Sequence, residues 1–188
     1  MIRKASDISR HRFSRADYHR MIEAGILQED DRVELLDGEI IAMSPIGPRH
    51  NTVVDRLNRF FTKLSGTAFI CRTQGSISMP GDSEPEPDIA LLRFRDDEYE
   101  QALPTPDDVL LIIEVAESSI EKDREAKRDL YAAAGIVEYW VLDLKTDELL
   151  VHGDLSNEKY RRVDLITRNH SVQPTALPNI TLKISDIL

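Results

Sequence analysis

The chain has 188 residues, 41% of them hydrophobic, and carries 24 Lys and Arg against 34 Asp and Glu, a formal net charge of −10. That length and apolar content suffice for a real core and exclude whole-chain disorder. The acidic balance argues against a protein that simply coats nucleic acid, so chemistry on phosphodiesters would need metal ions and a local basic strip. Charges interrupt every apolar run short of the ~18 residues of a membrane helix. The start MIRKASDISRHRF is basic but has no apolar signal core. One cysteine, Cys71, permits no internal disulfide. The expectations are a cytoplasmic location, no membrane partner, a tail over residues 1–12 and a single domain over 13–188.

Taken along the chain, Ser14-Arg15-Ala16-Asp17 reads as a helix cap before an amphipathic stretch from Ala16 to Ala24, with Gly25 as the stop. Val33–Met43 reads as a hairpin turning at Asp37-Gly38. After the Pro/Gly break at 44–48, apolar residues recur at helical spacing from His50 to Leu64. Short strands are expected at Ala68–Cys71 and Ser76–Met79, then a loop from Pro80 to Pro87. Asp88–Leu92 is a strand, Arg93–Asp108 a charged loop with a short helix, and Leu110–Val115 the most strand-like segment. Ser119–Ala134 is a helix ended by Gly135. Glu138–Leu144 is a buried strand, paired with Leu149–His152 through a turn at Lys145–Glu148. Tyr160–Ile166 adds a strand and Ile184–Leu188 a terminal turn. The β–α–β order from Leu110 to Leu144 allows a parallel pair, so the fold class is α/β with a mixed central sheet. Val137, Tyr139, Trp140 and Leu149 read as core.

The acids inside apolar strands carry the chemical signal. Glu114 lies within LLIIEVA, on one face with Ile112 and Ala116, opposite Leu111, Ile113 and Val115. A buried carboxylate needs a proton, a Lys or Arg, or a metal ion. Asp88 opens the strand after a proline-rich loop. Two such acids on adjacent strands would repel unless a divalent cation lay between them, and oxygen-only ligation suits Mg²⁺ or Mn²⁺. A plainer reading of either acid is a strand-end residue facing water or pairing with an arginine. Asp123, Lys127 and Tyr131 share a face of the following helix. Lys127 is long enough to reach Glu114, although an Asp–Lys pair on a wet helix would look the same in sequence. Glu34 is a further acid between apolar neighbours, and His50 opens a helix. The remaining histidines lack zinc spacing, and no phosphate-binding or nucleophile-elbow motif is present.

Glu34-Leu35-Leu36-Asp37-Gly38, Ser44-Pro45, His50, Pro87-Asp88, Ile113-Glu114-Val115, Asp123 with Lys127 and Tyr131, Ala134-Gly135 and Glu138-Tyr139-Trp140-Val141-Leu142-Asp143 follow one another in this order. Together they resemble the Uma-type family of restriction-endonuclease-like proteins, a branch of the PD-(D/E)XK nuclease superfamily, from about Phe13 to Leu188. The resemblance implies a restriction-endonuclease-like core and Mg²⁺- or Mn²⁺-dependent phosphodiester hydrolysis, with DNA the expected substrate. It implies Asp88 and Glu114 as metal ligands, Glu34 as an extra acid completing the shell or taking a proton, and His50 at the rim. The superfamily's usual lysine, two residues after the second acid, is Ala116 here, and Lys127 resembles a lysine migrated to the next helix. Arg49, Arg56, Arg59 and Lys63 on the helix after His50 could contact phosphates, as could Arg124, Arg128 and Arg161-Arg162. They could equally be the solvated face of that helix. The competing reading is a degenerate nuclease fold kept for interaction or regulation, which Ala116 and the net charge suit. RNA as substrate and a homodimer are also compatible with the sequence.

Overall fold

The computed structural model describes residues 10–43, 45–117 and 121–188, except the side chains of Glu29 and of residues 121–124. Ser44 and Ser119 from the motif reading, and the side chains of Asp123 and Arg124, therefore lie outside the described residues. Helix α1 spans Arg15–Glu23 and opens on the expected capping box, in which Ser14 and Asp17 bond reciprocally. Strands β1 (Val33–Leu36) and β2 (Glu39–Ala42) form the hairpin. Asp37 and Gly38 both take positive φ, 49° and 73°, the turn chemistry that a two-residue hairpin requires.

Helix α2 (Pro48–Ser65) follows, with Pro at its first position, where its missing N–H costs nothing. The main sheet then takes β3 (Phe69–Thr73), β4 (Ile89–Arg93), β5 (Val109–Ala116), β6 (Tyr139–Asp143), β7 (Glu148–Ser156) and β8 (Lys159–Thr167) in consecutive spatial order. Only β5 and β6 are parallel, and α3 (Glu121–Ala133) makes their crossover. All other neighbours in this sheet are antiparallel. Strands β9 (Ser171–Val172) and β10 (Leu182–Lys183) form a small separate pair. Among the described residues no helix is long and apolar enough to cross a membrane.

Strand alternation sorts the core into two halves. Leu111, Ile113 and Val115 face one way and pack with Val53, Leu57 and Phe61 of α2 and Leu182, Ile184 and Ile187 near the C-terminus. Ile112 and Ala116 face the other way and join Tyr131 of α3, Tyr139 and Val141. The sheet is thus covered by α2 on one face and α3 on the other.

Two expectations fail. Ser76–Met79 is not a strand, only an isolated bridge from Met79 to Ser83. Its amides bond to loop carbonyls instead of a ladder: Ile77 to Pro85, Ser78 to Pro104 and Met79 to Ser83. The alternating apolar pattern arises because Ile77 and Met79 are both buried under the α3 side of the sheet. Val137 is not core but 58% exposed, turned outward between buried Ile136 and Glu138. Tyr139, Trp140 and Leu149 are buried as expected.

The hairpin is held to the body by a Leu35–Glu84 bridge and by the Asp37 amide, which donates to Ser83 Oγ at 2.8 Å. A Cβ at Gly38 would meet Arg12 Cβ at 2.9 Å and the Phe13 carbonyl at 3.1 Å. Gly38→Ala is expected to destabilise the protein by about 1–3 kcal/mol, read as a lower urea midpoint at unchanged slope. Gly81→Ala, which has a positive φ but open space around it, should cost less.

Candidate active site

The registers of the sheet bring the two strand acids together. Ile89 pairs with Ile113, so Asp88, one residue before β4, lies across from Glu114. Glu114 in turn pairs with Val141 of β6, near the C-terminal ends of the parallel strands. On the other side the Gln74 amide donates to the Asp88 carbonyl at 3.2 Å, and Gln74 Nε2 approaches Asp88 Oδ1 at 3.4 Å.

Each acid is fixed by specific donors. Asp88 Oδ2 accepts from the Val115 amide at 2.9 Å and from His50 Nε2 at 3.1 Å. The latter brings the first turn of α2 to the end of the sheet. Glu114 Oε1 accepts from Lys127 Nζ and from Tyr131 Oη, both at 3.0 Å. Lys127 and Tyr131 reach it together because they sit i, i+4 on α3. Lys127 Nζ also lies 3.1 Å from Glu34 Oε1 on β1. Glu34 Oε2 accepts the Glu86 amide at 3.2 Å.

The electrostatics follow from burial. Glu114 is pushed up to about 7, first by burial and then by the charges of Asp88 and Glu34, against the pull of Lys127. Burial works against the Lys127 ammonium, but Glu114 and Glu34 more than offset it and hold its pKa above the ordinary range. Burial pulls His50 down, but its bond to Asp88 and that charge raise it overall. Tyr131 is kept protonated chiefly by burial. His50 Nδ1 is buried without a hydrogen-bond partner.

Glu34, His50, Asp88, Glu114 and Lys127 all line one cleft of about 770 Å³. Its wall also includes Glu86, whose carboxyl is raised mainly by burial. Glu86 and Gln74 were not singled out in the sequence. The sequence signal for Glu86 is its place two residues before Asp88, whereas Gln74, which follows β3, is brought to Asp88 by the fold alone. Ala116, two residues after Glu114 on the same face of β5, is buried and brings no charge.

Among the described residues, no group of three or more His, Cys, Asp or Glu side chains is gathered to hold a metal ion. The donors at Asp88 and Glu114 still fit one. They are hard oxygens, the described hydrogen bonds to Glu114 end on Oε1, and Asp88 Oδ1 has only the long Gln74 contact. Acids outnumber cations around the cleft. A hard ion that keeps several waters needs no more than one or two carboxylates.

The helix α2 cations lie elsewhere. Arg49, Arg56, Arg59 and Lys63 are exposed, and none lines the cleft. Arg49 donates to the Leu144 carbonyl and pairs with Asp147, while Arg56 donates to the Ile187 carbonyl at 3.4 Å. Arg128 pairs with Asp129, and Arg162 with Asp164.

The chain matches the model of the Uma2 family, described as "Putative restriction endonuclease", over residues 15–185. It is similar in fold to a crystal structure from Anabaena variabilis ATCC 29413 described as a putative nuclease belonging to DUF820. The TM-score is 0.72 at 14% identity, covering 93% of this chain and 97% of that one. No protein with a curated description matches it.

Raised carboxyls mean that the folded, metal-free protein binds more protons than the unfolded chain between the ordinary carboxylate range and about pH 7. Stability should therefore fall as pH rises through that window, and the raised Glu86 and His50 act in the same direction. The Glu114 share is on the order of 3 kcal/mol. Urea titrations in chelator from pH 4.5 to 8 should show this decline, and Glu114→Gln should flatten most of it. An equal slope in the variant would show that Glu114 is not the titrating group.

Proposed function

The chain belongs to the Uma2 restriction-endonuclease family, and from that premise we propose that it is a metal-dependent endonuclease hydrolysing phosphodiester bonds in DNA. The observation that carries this reading is the cross-strand pair Asp88–Glu114 with the Lys127 ammonium 3.0 Å from Glu114, all lining one cleft. Asp88 and Glu114 would hold Mg²⁺ or Mn²⁺. That ion would supply Lewis acidity toward a phosphoryl oxygen and acidify a water.

The remaining roles belong to the chain's own groups. Lys127 is a fixed positive charge beside both acids, suited to the charge that builds on the phosphoryl oxygens as water attacks phosphorus and the P–O ester bond breaks. It takes the place of the strand lysine that Ala116 lacks. Glu34, expected to complete the metal shell or take a proton, would also neutralise and aim Lys127. Tyr131 pins Glu114 Oε1 through its O–H, and His50 does the same for Asp88 Oδ2 through Nε2–H. With those oxygens occupied, the other oxygen of each acid is left for the ion.

Circular DNA, single-stranded or negatively supercoiled, should be cut by the wild-type protein with Mg²⁺ or Mn²⁺. Asp88→Asn, Glu114→Gln and Lys127→Met should each slow cutting by roughly 10²-fold or more. Undiminished cutting by both acid variants would falsify the proposed site. Metal binding has its own readout. Because ligation needs both carboxylates ionised, Mg²⁺ should raise the melting temperature more at pH 8 than at pH 5. Asp88→Asn should lose that increment at both pH values.

A further inference from the structure

The reacting groups are largely buried on the floor of a cleft. The side chains of Glu34, His50, Asp88, Glu114 and Lys127 are only 5, 10, 11, 14 and 15% exposed. They sit in a cleft of about 770 Å³. That is the size of a site for a drug-sized molecule, about 300–1,000 Å³, and so for about one or two nucleotides. A duplex, whose major groove alone is about 12 Å wide, is larger than this cleft and could present to it only an edge of its backbone.

The walls suit a base more than a stacked helix. One side is formed by Ile41, Met43 and Ile46 from β2 and the segment after it, the other by Ala126 and Leu130 of α3. An unstacked base can lie on such apolar side chains, while its phosphate meets the charged floor.

A cation completes the picture. Arg32 lines the same cleft and is half-buried. Its guanidinium has no ion pair among the described residues, whereas Arg12 nearby is tied to Asp37. Its backbone is left-handed, φ 46°, and its carbonyl accepts the Met43 amide at 2.8 Å, which anchors it at the open end of the hairpin. An anchored arginine with no ion pair among the described residues, beside an acidic floor, complements a phosphate next to the one being cut.

We propose that the cleft takes an unpaired DNA strand, one base against the apolar wall and a flanking phosphate on Arg32. This rests on the nuclease reading and narrows its substrate to single-stranded, bulged or frayed DNA.

The experiment compares a fluorescein-labelled single strand, its perfect duplex and a duplex with an unpaired bulge. Cleavage is followed with Mn²⁺, and binding by anisotropy with the full-length Glu114→Gln protein. The single strand and the bulged duplex should be cut about tenfold faster than the perfect duplex or better. Binding should show the same order. Arg32→Met should weaken single-strand binding and reduce the log–log salt slope by about 0.7, one phosphate contact, while Arg32→Lys keeps the slope. A perfect duplex cut and bound as well as the single strand overturns this inference and leaves the nuclease reading standing. An unchanged salt slope in Arg32→Met overturns the assignment of Arg32. If nothing is cut but the single strand is still preferred in binding, the strand preference survives and the hydrolase reading falls.

Discussion

Two carboxylates on neighbouring strands, held in low dielectric, are the constraint around which the rest of the molecule is arranged. Like charges directly across an antiparallel pair are unfavourable, and burial strengthens the repulsion. Asp88 and Glu114 are tolerated because α2 brings His50 to one and α3 brings Lys127 and Tyr131 to the other. The juxtaposition depends on register. A slip of one residue between β4 and β5 would send Glu114 to the α2 face and Ile113 toward the cleft. What prevents it is hydrophobic: Ile89, Leu91, Leu111 and Ile113 fill one half of the core, and Ala90, Leu92 and Ile112 fill the other. The apolar pattern that builds the sheet therefore also sets the charge geometry.

The lysine shows how the same charge arrangement can be reached by another route. A lysine at position 116 would share the face of Glu114, but that site holds a buried alanine in the same core cluster as Tyr131 and Tyr139. The ammonium comes from a helix instead, so its position depends on how α3 packs on the sheet. Tyr131 anchors that packing. It is fully buried, its ring lies 5.1 Å from that of Tyr139, and its hydroxyl ends on the same oxygen as Lys127. One turn of helix thus delivers both a charge and the side chain that fixes it.

Much of this was legible in sequence for physical reasons. Period-two patterning around Glu114 gave its face, since Ile112 and Ala116 do lie with it and Leu111, Ile113 and Val115 do not. The hairpin and helix stops were readable because positive-φ turns select Asp-Gly and Gly. The mixed sheet followed from a crossover long enough for a helix. Ser76–Met79 was misread because alternation reports burial, and a loop that buries Ile77 and Met79 alternates as a strand does. Gln74, Glu86 and Arg32 could not be found in the same way. Their relevance arises from cross-strand and hairpin neighbours far apart in the chain, and periodicity carries no information about those. The α2 cations illustrate the converse. Their place on the helix after His50 was legible, but a helix face has no direction until the helix is docked, and Arg49 and Arg56 reach the Leu144 and Ile187 carbonyls.

The hairpin gives the site its remaining degree of control. It is a separate two-stranded sheet, joined to the rest by the Leu35–Glu84 bridge, the Ser83 hydroxyl and the Phe13–Gly38 contact. Yet it supplies Glu34, whose carboxylate shares the Lys127 ammonium with Glu114. Moving the hairpin therefore changes the charge balance on Glu114 without touching β5. If Glu34 withdrew, Lys127 would belong to Glu114 alone and Glu114 would ionise more easily, because one repelling charge would be gone and its counter-ion undivided. Arg32, at the foot of the same hairpin, would move with it. A hairpin outside the main sheet thus carries both a partner of the lysine and an arginine of the cleft, so the electrostatics of Glu114 depend on an element that β5 itself does not hold.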